Sequence, residues 1–155
     1  MSTTIVQVES LEGNALDWAV AKALGYVPAR WEKRDWGRQC VPAPERSFST
    51  MLTLNDGFGH SLSFSAFNPS GDWARGGPII YSEKIATWAD DKTEGWFASA
   101  NLIPLDAQED FHYGSNPLEA AMRCYVASKL GAEVEIPDVL INAATSPKQS
   151  KGLTP

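Results

Sequence analysis

The residue types best suited to chemistry lie in one short run, Asp72, Trp73, Arg75, Gly76 and Gly77, inside GDWARGGP at residues 71–78. Two adjacent glycines can leave backbone N–H groups open to an anion. An arginine adds charge and a planar donor fork, and a tryptophan offers a face to a base. Together they could bind a small anionic, nucleotide-like ligand. The run matches neither GxxxxGK[ST] nor GxGxxG, so the same residues also read as a Gly-Gly-Pro turn that folds Trp73 back onto the core. The ligand reading requires backbone amides that point into a concavity and are not consumed within the turn.

Other chemistry has less to build on. Nucleophilic catalysis needs a base held beside a nucleophile. His60 stands between Gly59 and Ser61, and His112 follows Asp110 in DFHYG, but neither belongs to a catalytic motif. No catalytic residue is assigned, and a non-catalytic role is expected. Two cysteines and two histidines without ligand spacing give no metal site, and no cofactor is expected. Cys40 and Cys124 are far apart in sequence, so a structural disulfide is not expected either. Cys124, beside Arg123, reads as a small packing residue. The acidic pairs Asp90–Asp91 and Glu109–Asp110 read as solvent-facing loop charge.

Length and composition bound the partners. A chain of 155 residues, 43% hydrophobic and 21% charged, can bury one core and lies away from the disordered regime. Net charge is −6 with no long basic run, so nucleic acid is not an expected partner. Residues 30–38, RWEKRDWGR, hold four cations and two anions around Trp31 and Trp36. Such mixed charge reads first as a solvated surface segment, with a local patch as the alternative. No apolar run approaches the roughly 18 to 20 residues of a membrane span, and the opening MSTTIVQVES lacks a basic export region. A cytosolic protein without membrane contact is expected. Six tryptophans are unusual, and tryptophan collects in cores, interfaces and pocket walls.

Spacing then predicts the elements that must position these residues. Residues 3–8 predict a short strand. Residues 15–24 predict a helix, with Asn14 as cap, Asp17 as its box partner and Gly25 as stop. Pro28, Pro42 and Pro44 predict a long irregular excursion over 26–46. Residues 47–54 and 60–67 alternate apolar with small polar residues around a glycine-rich turn, which predicts a hairpin, or alternatively a helix from about Ser47. Residues 68–80 predict a shaped loop with Trp73, Ile79 and Ile80 buried. Residues 82–89 predict a short helix or turn under Ser82, and residues 96–103 a strand.

The last strong element is a helix over 117–130, capped by Asn116, with Pro117 first, Glu119 completing the box and Gly131 as stop. Its apolar stripe is Leu118, Ala121, Met122, Tyr125, Val126 and Leu130, with Glu119, Arg123 and Lys129 off it. Residues 132–136 predict an edge strand stopped by Pro137. The expected fold is therefore α+β: a single domain over 1–141, with two main helices on a small, mostly antiparallel sheet, and a flexible polar tail over 142–155. An amphipathic helix and surplus tryptophans are compatible with a homo-oligomer.

Three segments in this order resemble the NinX-like family of small tailed-phage proteins. They are NALDWAVAKALG at 14–25, DWARGGPII at 72–80, and the run GSNPLEAAMRCYVASKLG that begins at Gly114 and continues into AEVEIP. Residues 26–67 depart most from the family pattern. The resemblance implies a phage or prophage protein of the host bacterial cytoplasm, among the accessory proteins rather than the capsid or tail parts. It implies no activity. Two functional readings follow: capture of a small anionic ligand, such as a nucleotide-like host signal, or docking on a host protein through exposed tryptophans such as Trp31, Trp36 or Trp88.

Overall fold

The computed structural model describes residues 2–46, 48–49, 52–100 and 111–144. Thr3–Gln7 (β1) is the opening strand, and a 3-10 turn at Val8–Ser10 leads to the helix Gly13–Ala23 (α1). α1 starts earlier than its apolar spacing indicates, with Glu12 rather than Asn14 at the cap position. Asp17 is no box partner. It is fully buried and accepts the Ser70 amide at 3.0 Å, which ties α1 to the chain entering the next helix.

The excursion expected over 26–46 is instead a hairpin of Val27–Arg34 (β2) and Gly37–Pro42 (β3). The prolines do not block it, because they sit at its ends. Pro28 still offers its carbonyl to the Ala43 amide at 2.7 Å, and Pro42 closes an edge strand, where a missing donor is tolerated. Gly37, at φ 141°, follows the two-residue turn Asp35–Trp36. The expected second hairpin is present in shorter form. Thr53–Asn55 (β4) pairs with Ser61–Ser63 (β5), giving a four-stranded sheet in the order β3-β2-β4-β5. Residues 64–66 coil into a 3-10 turn that buries Phe64. Ser47, Thr50 and Met51 lie outside the described residues.

The main departure is over 68–80, where Trp73–Glu83 forms a helix (α2) and not a loop. Ser82 lies within its last turn and donates to the Ile79 carbonyl at 3.3 Å, and Lys84, at φ 54°, ends the helix. The helix or turn expected over 82–89 is thus the end of α2 followed by the strand Ala86–Ala89 (β6). Trp96–Ser99 (β7) and His112–Gly114 (β8) complete a three-stranded antiparallel sheet. Residues 101–103 of the expected strand lie outside the described residues, as do Glu109 and Asp110.

Pro117–Leu130 (α3) agrees with its sequence signals. Asn116 accepts the Glu119 amide at 2.9 Å, while the Glu119 carboxylate reaches the Ser115 amide at 2.8 Å. α3 packs on the β6–β7–β8 sheet and on α1 and α2. It is buried on more than its apolar stripe. Arg123, expected off that stripe, is buried, with Nε donating to the Leu11 carbonyl at 2.9 Å and Nη1 to the Tyr113 carbonyl at 2.6 Å. Glu133–Pro137 (β9) pairs antiparallel with β1, and Asp138–Ala144 (α4) follows, so helix continues past the expected domain boundary at 141. Residues 145–155 of the expected tail lie outside the described residues. Leu16, Val20, Met122, Val126, Ile136 and Leu140 form the centre of the core. The fold is α+β, with a third long helix and three small sheets where two main helices and one sheet were expected.

Candidate functional site

α2 forms because Asp72 caps it and because tertiary packing selects glycine within it. The Asp72 side chain accepts the Ala74 amide at 3.0 Å. Its carbonyl accepts the amides of Arg75 at 3.0 Å and Gly76 at 2.8 Å. Gly77 lies in the helix interior, where the amide is taken by the carbonyl four residues back. The backbone donors expected to face a ligand are therefore consumed by the helix. Gly76 is buried at a close approach: a Cβ there would fall 2.4 Å from the Pro69 carbonyl oxygen and 2.6 Å from Leu118 Cδ2. Pro78 inside the helix lacks a donor, which costs about 3 kcal/mol in an isolated helix and must be offset by packing.

The five residues singled out in the sequence do not converge. Asp72 is occupied as the cap, Gly76 packs inward, and the Trp73 ring lies beside Gly77, its nearest atom 3.9 Å from where a Cβ would stand. Trp73 is 56% exposed, against the expectation of burial, while Ile79 is buried. Of the five, Arg75 lines a concavity. That groove, of about 420 Å³, runs between α2 and the end of α1, with Tyr26, Phe67, Pro78 and Ile79 as apolar wall and Ser82 as a polar lip. Tyr26 and Phe67 meet edge to face at 5.6 Å. Among the described residues Arg75 has no carboxylate within ion-pairing distance. Sequence reasoning missed Tyr26, Phe67 and Ser82. Arg75, Pro78, Ile79 and Ser82 recur at helical spacing, a signal masked by the glycines between them.

Two other concavities are differently equipped. A pocket of about 220 Å³ is walled by Trp18, Tyr26 and Leu54, with Lys22 and Glu135 both on its lining. A cleft of about 260 Å³ lies where α1, α2 and α3 begin, lined by Gly13, Gly71 and Asn116 and also by Glu119. Each imidazole leans on a carboxylate, His60 Nδ1 on Asp56 at 2.7 Å and His112 Nδ1 on Glu9 at 2.6 Å. Cys40 and Cys124 are buried, and no disulfide joins them. Among the described residues no group of three or more His, Cys, Asp or Glu could hold a metal ion, and no helix is long and apolar enough to cross a membrane.

The surface is rich in aromatic residues. Trp31, Trp36, Trp73 and Trp88 are all exposed. Trp88 joins Phe97 and Phe111 in edge-to-face and tilted contacts at 5.0–6.2 Å, and Phe97 meets Tyr113 at 5.4 Å. Phe111 and Tyr113 are exposed as well.

The comparison with curated proteins finds no match. A family model described as bacteriophage P22 NinX matches residues 7–129, well over half of the chain. That span takes in α1, the whole β2–β3 hairpin, α2 with its groove and nearly all of α3, so the fold and the site described above fall within it. The chain belongs to the NinX family of bacteriophage P22.

Proposed function

We propose that this phage accessory protein is a non-catalytic binding protein of the host cytoplasm that holds a small anionic, ring-bearing ligand of the nucleotide class in the groove beside Arg75. Arg75 carries this reading: a cation with no carboxylate partner among the described residues lies on a partly aromatic groove. A guanidinium can grip a phosphate through two parallel hydrogen bonds. The half-buried Tyr26, backed by the buried Phe67, offers apolar surface to a ring, and the Ser82 hydroxyl, which donates to Ile79, keeps its lone pairs for a ligand donor. A groove of about 420 Å³ falls in the common size range of small-molecule sites, roughly 300–1,000 Å³. The Trp18 pocket suits an anion less, because Glu135 shares its lining with Lys22. Nuclear magnetic resonance titration with nucleoside monophosphates tests this directly. Shifts confined to Tyr26, Arg75 and Ser82 support it, and an unchanged spectrum contradicts it.

A second reading, docking on a host protein, is favoured by the exposure of four of the six tryptophans. Tryptophan and arginine dominate the few residues that carry most interface energy. Affinity capture from infected cells, compared with a Trp31→Ala, Trp36→Ala and Trp88→Ala triple variant, tests it. A partner retained equally by the triple variant contradicts this reading.

A further inference from the structure

The β2–β3 hairpin outruns its sheet. β4 pairs with β2 only at Val27, Pro28 and Ala29, so residues 30–34 of β2 are paired with β3 alone. From Arg30 to the turn the hairpin is a two-stranded ribbon whose two faces differ in charge bookkeeping. One face carries Arg30, Glu32, Arg34 and Gln39. Glu32 pairs with Arg30 and with Arg34 at 2.8 Å, and Arg34 Nε donates to Gln39 at 2.9 Å. Glu45 lies 3.9 Å from Arg30. That face is satisfied internally.

The opposite face carries Trp31, Lys33 and Arg38. Lys33 stands directly across from Arg38, and the Arg38 guanidinium carbon lies 4.8 Å from the Trp31 ring centroid. Among the described residues neither cation has a carboxylate within ion-pairing distance. Two like charges facing each other across a ribbon repel in the free protein. An incoming carboxylate would relieve that repulsion, and the Arg38 guanidinium over the Trp31 ring offers it a charge-assisted, two-pronged contact. Trp36, 72% exposed at the turn, adds an apolar anchor.

We infer that the Trp31–Lys33–Arg38 face of this ribbon docks on a carboxylate-bearing segment of a partner protein. The inference rests on the docking reading and is independent of the Arg75 groove. A protein supplies one or two carboxylates at a point. A nucleic acid strand carries a phosphate on every nucleotide along its whole length, and two of the four cations of residues 30–38, Arg30 and Arg34, are already paired with Glu32 in a chain of net charge −6, so the ribbon lacks the row of unpaired cations that an extended polyanion needs.

The test places a photo-reactive benzoylphenylalanine at Asp35, in the turn, on the full chain in phage-infected bacteria. The expected result is one protein adduct, mapped to a segment containing aspartate or glutamate, whose yield falls roughly tenfold or more with Arg38→Glu or Lys33→Glu. Reversing the mapped carboxylate to arginine restores the yield with Arg38→Glu. Circular dichroism and melting of both variants should match the wild type, since the two side chains are exposed. A nucleic acid adduct overturns the inference. An adduct equally strong with both charge reversals overturns it while leaving docking elsewhere intact, and absence of any adduct from this position, with a partner still captured by the unmodified chain, does the same. Absence of both adduct and captured partner overturns the docking reading as well.

Discussion

Gly76 sits so close beneath the Pro69 carbonyl oxygen that a Cβ would stand 2.4 Å from it, with Leu118 at 2.6 Å on the same side. The glycine is thus a packing residue that lets α2 meet both the turn before it and α3. Gly76→Ala should destabilise the protein by about 1–3 kcal/mol, the usual cost of overpacking. Its neighbour is far less constrained. Apart from its chain neighbours, a Cβ at Gly77 would meet only the Trp73 ring, at 3.9 Å; the helix-propensity gain of about 0.5–1 kcal/mol from Gly77→Ala is opposed by Pro78, whose Cδ crowds a Cβ on the preceding helical residue, so the net change should stay within about 1 kcal/mol of zero. Denaturant unfolding of the two single variants measures the difference.

Arg123 is a buried strut that satisfies two carbonyls from different parts of the chain, Leu11 and Tyr113. Arg123→Met keeps much of the volume but orphans both acceptors. A loss of about 2 kcal/mol or more is expected in unfolding experiments, since each buried unsatisfied group costs about 1–3 kcal/mol. If the two carbonyls were hydrated and not buried, the loss would be close to zero.

Asp90 organises the turn between β6 and β7. The Thr93 hydroxyl donates to it at 2.7 Å and the Lys92 amide at 3.0 Å, and these bonds hold its carboxyl below the usual 3.8. A depressed carboxylate contributes stability that is present above its unfolded value and is lost as pH falls through the folded one. The turn should therefore loosen only below about pH 3.8. Carboxyl carbon titration by nuclear magnetic resonance should give an Asp90 midpoint below that of an unperturbed aspartate, and Thr93→Val should move it upward.

How much of this structure was readable beforehand depends on where each element's cause lies. α3 was readable because Asn116, Pro117 and Gly131 are local signals that agree. The β1 and β9 strands were too, from their residue types and from Pro137. α2 was not, because the reason it tolerates Gly76 is a contact with Pro69 and Leu118, which no local propensity contains. Arg123 misled for the same reason: its periodicity places it off the apolar stripe, and its partners are set by tertiary structure. The β2–β3 ribbon did leave a trace. Arg30, Glu32 and Arg34 alternate sign at a spacing of two, which is the period of a strand face. The prolines obscured that trace. Of the five candidate site residues, Arg75 alone lines the groove, because a helix sends adjacent side chains to different faces where a loop could have gathered them.

Isothermal titration calorimetry with a panel of nucleoside mono- and diphosphates, on the wild type, Arg75→Ala and Gly77→Ala, tests the groove most directly. Saturable heat with the wild type is predicted, preserved in Gly77→Ala and weakened roughly tenfold or more in Arg75→Ala, the scale of a lost charge-assisted contact. No heat from the wild type with any member of the panel, or the same affinity in Arg75→Ala, would contradict the assignment of Arg75 as the anion grip.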